Sequence, residues 1–264
     1  MTNLPIDRPA ELRAPAHWQA VDFISDLHLH PGEPQTLDAW RRYLERPPSA
    51  RADALFILGD LFEVWVGDDA LENPDSFGAL CARQLHQYSR DTPVFFMCGN
   101  RDFLVGPPAL TACGMQGLDD PTVLEIMGER WLLSHGDALC LDDTDYLAFR
   151  AMVRSAEWQG SFLAQPLAQR EAVARDLREG SEARKKSLAH DPALWADVDA
   201  EEARRWLRAA GARTLIHGHT HRPATHDLGD GLQRVVLSDW DAAANPARMD
   251  ILRLDHSGFS HLRP

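Results

Sequence analysis

The chain has 264 residues, a formal net charge of -13, and 44% hydrophobic and 25% charged residues. This length can build a full core, and α/β chains of this size are often single units; the acidity argues against a general binder of nucleic-acid backbones, which carries a basic face. Cys81, Cys98, Cys113 and Cys140 form no Cys-x-x-Cys pair, which argues against a zinc ribbon or a disulfide framework and suits reduced thiols in a cytosolic protein.

Residues 1–18 are rich in Pro and charge and have no apolar stretch of signal-peptide length, so a loosely ordered leader is expected before a single domain over 19–264. An apolar run over 21–25 predicts a buried strand that ends in Asp26-Leu-His28. A helix is expected over 36–45, then a strand over 54–58 closed by Gly-Asp60 and followed by the acidic, Trp-containing stretch Leu-Phe-Glu-Val-Trp65-Val-Gly-Asp68-Asp69. A helix over 77–90 leads to a strand over 94–98 and Gly-Asn100-Arg101-Asp102. Strands over 122–127 and 131–134 follow, the second ending at His135-Gly-Asp137.

From 144 to 210 the composition turns to Ala, Leu, Arg, Glu, Gln and Trp, which favour helix. Pro166, Gly180 and Pro192 punctuate this insertion into about four pieces, and it is expected to form a helical cap over the site. The strand over 214–217 ends in Gly-His219-Thr-His221, and further strands are expected over 234–237 and 249–254. No stretch reaches the ~20 apolar residues needed to span a bilayer.

Asp26, His28, Asp60, Asn100, His135, His219 and His221 all stand at or just beyond the ends of strand-like runs. Open α/β sheets gather ligands at the carboxyl ends of their strands, so five dispersed segments can supply one site. Each piece alone is an ordinary cap or turn signal; together and in this order they read as a metal centre. Carboxylate, amide oxygen and imidazole suit borderline divalent ions, and thiolates are absent from the set. Asp60, midway in the series, is the candidate bridge between two ions that hold a hydroxide and neutralise a phosphoryl group.

The ordered set Asp-x-His, Gly-Asp, Gly-Asn, His and Gly-His-x-His resembles the calcineurin-like metallophosphoesterases. The resemblance implies a sandwich of two mixed sheets flanked by helices. It also implies one ion on Asp26, His28, Asp60 and His221 and a second on Asp60, Asn100, His135 and His219. Most of that superfamily has His after the Asn, where this chain has Arg101. An alkoxide leaving group is strongly basic, but a phosphate monoester has a second pKa of about 6, so diphosphate cleavage needs no acid there. It needs charge clamping, which a planar guanidinium supplies. Asp60, Asn100, Arg101 and His135 are therefore the expected catalytic residues.

Gly-Asn100-Arg101-Asp102-Phe103, the acidic Trp loop and Ser-His135-Gly-Asp137-Ala-Leu-Cys140-Leu-Asp-Asp143-Thr-Asp-Tyr146 resemble, more narrowly, the UDP-2,3-diacylglucosamine pyrophosphohydrolases of the Gram-negative lipid A pathway. That likeness implies Mn2+ as the usual ion and attack of the metal-held hydroxide on the uridine-side phosphorus. The products would be UMP and 2,3-diacylglucosamine 1-phosphate. It also implies substrate contacts from Asn100, Arg101, Asp143, Ser181, Lys186 and His219; Lys185 is an alternative to Lys186, and the family's cap Asn has no match. Asp137, two residues after His135, is a candidate for orienting an imidazole ligand.

Phe149, Met152, Val153, Trp158, Phe162, Leu163, Leu167 and Val173 give the cap more apolar surface than small helices need. Either they pack the cap on the core or they line an acyl-chain groove, and the resemblance favours the groove. Arg150, Arg154, Arg170, Arg175, Arg178, Arg184, Lys185 and Lys186 could rest on an anionic membrane. A monomer, peripheral on the cytoplasmic side of the inner membrane and without nucleic-acid partners, is expected. The rivals are a nucleotide or phosphoprotein phosphatase and a non-catalytic scaffold.

Overall fold

The computed structural model describes residues 9–188 and 197–264, with side chains described for 9–177 and 197–264. The first half of the chain runs β1 (Ala10–Arg13), β2 (Ala20–Ile24), α1 (Pro34–Leu44), β3 (Ala54–Leu58), α2 (Phe77–Ser89), β4 (Val94–Met97), α3 (Pro107–Cys113) and β5 (Met115–Leu118). There follow β6 (Thr122–Ile126), β7 (Glu129–Leu133), α4 (Thr144–Val153), α5 (Ala156–Leu163), α6 (Leu167–Leu188) and α7 (Ala200–Ala210). The chain closes with β8 (Thr214–His217), β9 (Ala224–Gly229), β10 (Leu232–Val236), β11 (Ile251–Asp255) and β12 (Gly258–Leu262). Two mixed sheets result, ordered β1-β6-β7-β8-β10-β9 and β12-β11-β2-β3-β4-β5.

The apolar runs explain the sandwich. All five residues of β3 are buried, as a strand covered on both faces requires. Phe56 points between the sheets, level with Phe23 and Phe95 of the parallel neighbours, and its ring lies 5.2 Å from Phe23 and 4.8 Å from Phe95. Leu133, Ile216 and Val235 meet these rings from the other sheet. Leu55 and Ile57 face the opposite way, into the layer under α1 and α2 with Trp40, Tyr43 and Leu85. Ser76 caps α2 by accepting from the Ala79 N–H. Gly114 and Gly211 end α3 and α7 in the left-handed conformation, a role for which glycine has no Cβ penalty.

Three expectations are corrected. The leader is not loose over Ala10–Arg13, because these residues pair in parallel with β6, and Trp18 is buried among the inter-sheet aromatics; residues 1–8 lie outside those described. Gly180 does not break the cap, since α6 runs from Leu167 to Leu188, and a glycine costs a helix only about 1 kcal/mol. α7 is not part of the cap: Ala203, Trp206, Leu207 and Ala210 pack with Val123, Leu132 and Leu215 on the far face of the first sheet. Its strongly amphipathic pattern serves the core.

Candidate metal centre

The parallel strands β2, β3 and β4 of one sheet and β7 and β8 of the other bring their carboxyl ends together. Asp26, Asp60, His135 and His219 each stand two residues beyond a strand end, and Asn100 stands three beyond β4. Asp26, His28, Asp60, His219 and His221 have φ of 54°, 47°, 53°, 66° and 53°, the left-handed region that L-residues avoid. These turns aim the side chains across the gap between the sheets. A Cβ on Gly99 would come within 2.1 Å of Asp60 Oδ1, and one on Gly218 within 2.3 Å of Asp26 Oδ2. The glycines beside the ligands are therefore demanded by close approach.

All seven expected ligands converge. His221 Nε2 lies 3.3 Å from Asp26 Oδ1 and 3.3 Å from His28 Nε2. Asp60 turns Oδ2 toward His28 Nε2 and Oδ1 toward His135 Nε2, each at 3.8 Å. Asn100 Oδ1 sits 3.0 Å from His135 Nε2 and 2.9 Å from His219 Nδ1. Asp26, His28 and His221 make one compact donor group, and Asp26, Asp60 and His135 another. Asp60, a member of the second group, also turns one oxygen toward His28 of the first.

The electrostatics fit a cationic occupant. Burial disfavours the His135 imidazolium, but Asp60, Asp137 and Asp26 overcome it and lift the group to about 9. His28 is raised despite burial by Glu63, Asp60 and Asp26. Asp26 is held far below the usual carboxylate range, its burial outweighed by His221, His135 and His28. His219, desolvated and beside His135, falls to about 4. A buried set of oxygen and imidazole donors, with protons drawn onto two of its histidines, matches divalent ions.

The supports around the donors were not foreseen. Asp102, fully buried, accepts from the backbone N–H groups of Gly99 at 2.8 Å and Leu61 at 2.8 Å, locking the Asp60 and Asn100 loops together. His135 Nδ1 meets the Leu58 carbonyl at 2.9 Å. Asp137 does not orient an imidazole, as expected of it: Gly136, left-handed at φ 105°, turns it toward α4, where it accepts from Tyr146 Oη at 2.5 Å and Arg150 Nε at 2.8 Å. The Tyr146 ring stacks on His219 with centroids 5.9 Å apart. Tyr146 lies in the first turn of α4, where its backbone N–H donates to the capping Asp143 Oδ1 at 3.1 Å, and spacing alone gave no sign of the stack.

A cavity of about 1260 Å3 opens over the donors. His28, Asp60, Asn100, Arg101, His219 and His221 line its floor, and Asp143 and Tyr146 its side. Trp65, Phe77, Phe103, Phe149, Trp158 and Phe162 supply apolar walls. Trp158 stacks on Phe162 at 4.6 Å and leans on Phe103 at 6.2 Å, so the cap residues both pack and line. The side chains of Ser181 and Lys186, like those of Arg178, Arg184 and Lys185, lie outside those described.

The basic cap face is also corrected. Arg170 is buried, donating to Asp69 and to the Val66 and Gln165 carbonyls. Arg154 donates to the Gly99 carbonyl at 2.9 Å, and Arg150 is taken by Asp137. These three satisfy buried acceptors instead of facing solvent, because an unpaired buried carboxylate or carbonyl is costly. Arg175 lines the cavity.

This sandwich, with its double donor set at the strand ends, is the architecture of a metal-dependent phosphoesterase. Residues 20–223 match the calcineurin-like phosphoesterase family, and the chain belongs to it, as a hydrolase that uses divalent metal ions. A UDP-2,3-diacylglucosamine hydrolase of Chromobacterium violaceum is 45% identical over 250 residues, covering 92% of this chain and 98% of that one. Proteins of the same name from Xanthomonas oryzae and Stenotrophomonas maltophilia are 44% and 43% identical over 246 residues, covering 90% of this chain and 96% of each.

Proposed function

We propose that this protein hydrolyses the diphosphate bond of UDP-2,3-diacylglucosamine to UMP and 2,3-diacylglucosamine 1-phosphate in lipid A synthesis. The observation that carries the reading is one cavity of about 1260 Å3 with the double donor set and Arg101 at its floor and aromatic walls above. Such a cavity suits a molecule with a diphosphate head and two acyl chains. The names of the relatives support that substrate.

Asp26, His28, Asp60 and His221 would hold one ion, and Asp60, Asn100, His135 and His219 the other; the donors suit borderline divalent ions such as Mn, Fe or Zn, and the family likeness favours Mn2+. When bound, such ions neutralise phosphoryl charge and activate water. Arg101 lies at the cavity floor, 19% exposed, and clamps non-bridging phosphate oxygens through its planar fork. The bond that breaks is on the uridine-side phosphorus. The leaving group, a phosphate monoester, departs without a proton, which accounts for Arg where many phosphoesterases carry His.

His219 and Asn100 face substrate as well as metal, and Asp143 approaches the sugar from the end of α4. Family likeness alone supports Ser181 and Lys186 in that role. Met152, Leu163, Val173 and Leu177 expose 49%, 42%, 38% and 50% of their surface on α4–α6, which supports peripheral docking of the cap on the cytoplasmic face of the inner membrane. Among the described residues no helix is long and apolar enough to cross a membrane. The working unit of this proposal is a monomer.

The test is hydrolysis of UDP-2,3-diacylglucosamine by the purified protein with Mn2+ in oxygen-18 water. Label in UMP is the expected result; label in the lipid phosphate would move the attack to the other phosphorus. Turnover of simple phosphomonoesters without the lipid would replace the reading with a soluble-substrate phosphatase, and metal binding without any turnover with a scaffold.

A further inference from the structure

Glu63 stands where the two halves of the proposed machinery meet. Its backbone N–H donates to the Leu29 carbonyl at 3.3 Å, beside the Leu29–Phe62 bridge, so the loop after Asp60 is sewn to the loop that carries His28. Its carboxylate, 12% exposed at the cavity wall, puts Oε2 3.0 Å from His28 Nδ1 and Oε1 4.0 Å from Arg101 Nη1. The approach to His28 is bent from the ideal hydrogen-bond line, and that buried Nδ1 has no other polar partner among the described residues. One side chain thus touches a ligand of the first metal position and the phosphate clamp.

The four imidazoles are not backed alike. His135, at the second position, rests on a neutral carbonyl. His28 has Glu63 behind it, and His221 has Asp239 at 3.8 Å, which Arg248 anchors at 2.9 Å. A carboxylate behind an imidazole fixes its tautomer and makes its metal-facing nitrogen more basic.

We infer that Glu63 is a positioning residue that tightens the first metal position through His28 and at the same time sets Arg101 for the diphosphate. The inference rests on the two-metal reading above. It makes the first position the tighter one and gives that position and the clamp one shared support.

The test begins with chelator-treated protein titrated with Mn2+ alone, bound ion being followed by calorimetry and free ion by electron paramagnetic resonance. The parent protein should bind two ions in distinguishable steps. Glu63→Ala should weaken the tighter step by about 10–100-fold and leave the weaker step in place; Glu63→Gln, which keeps an acceptor without the charge, should fall between. Identical titrations for all three proteins would overturn the inference, whatever the substrate proves to be. At saturating Mn2+, KM for the diphosphate should rise in Glu63→Ala. That rise should vanish when Arg101 is already Ala; a full additive effect in the double variant would overturn the link to the clamp. Circular dichroism of the metal-saturated variants separates these effects from misfolding.

Discussion

The backbone N–H of Arg101 donates to Asp60 Oδ1 at 2.8 Å. The residue proposed to grip the substrate therefore also orients the carboxylate proposed to bridge the metals, and it does so with its main chain. Any substitution at Arg101 that preserves the backbone leaves that bridge intact.

Arg101→Ala should consequently separate clamp from metal. Turnover should fall by about 10²–10³-fold, the cost of losing one charge-stabilising donor group, while two Mn2+ ions still bind with parental affinity. Arg101→Lys should recover only part of the rate, since an ammonium lacks the bidentate fork. Steady-state kinetics beside metal analysis checks this; unaltered turnover in the Ala variant would remove Arg101 from the mechanism.

Gly99→Ala should strike the bridge with a single methyl group. The added Cβ would lie 2.1 Å from Asp60 Oδ1 and 2.4 Å from the Asp60 backbone nitrogen, so the carboxylate must turn away. Mn2+ affinity should drop by more than about tenfold, and calorimetric titration reads it directly. Parental affinity would mean that Asp60 does not need its present position.

Arg170→Met should loosen the cap from the acidic Trp loop. The guanidinium pairs with Asp69, itself 42% exposed, and with the Val66 and Gln165 carbonyls, and losing it leaves the buried Val66 carbonyl unpaired at a cost of about 1–3 kcal/mol. A melting temperature lower by roughly 5–10 °C is expected for a domain of this size. Differential scanning calorimetry decides, and no change in melting would show the staple to be ornamental.

Metal-free protein should be most stable near pH 6.5. His135 titrates at about 9 in the fold, so its contribution is complete below its unfolded value of about 6.5 and is lost as pH rises to 9, on the order of 3 kcal/mol. His219 and His217, held neutral by burial at about 4 and about 3, act in the opposite sense because the unfolded chain takes up their protons first, while Asp102, raised to about 7 by burial and by Asp60, offsets part of the resulting fall below pH 6.5. Urea midpoints at pH 5, 6.5 and 9 after chelation test this. A midpoint that climbs steadily from 6.5 to 9 would contradict it, and bound Mn2+ should flatten the alkaline limb.

The site was more legible in the sequence than its scaffolding was. Each ligand ends a buried apolar run, and strand ends are places a reader of sequence can find, so the seven donors and Arg101 could be named together. β1, β5, β9 and β12 were not anticipated because most of their residues are at least partly exposed and mixed in polarity, leaving no run to see. Asp102 holds Leu61 across 41 residues, and Arg170 reaches Asp69 across 101. Such pairings depend on how the layers stack, and nothing local marks them. Asp137 shows the reverse error: adjacency to a ligand suggested a role that one left-handed glycine redirected.

Five donors sit in a backbone conformation that costs an L-residue roughly 1–2 kcal/mol each. Asp and His reach this region more readily than most residues, so each turn costs less than a branched side chain would, but the cost is repeated five times in one site. The aromatic sandwich around Phe56 therefore works as a vice, and the metal-binding turns are the springs it compresses. On warming, the springs should yield before the vice opens, so the ions are released from a molecule that is otherwise still folded.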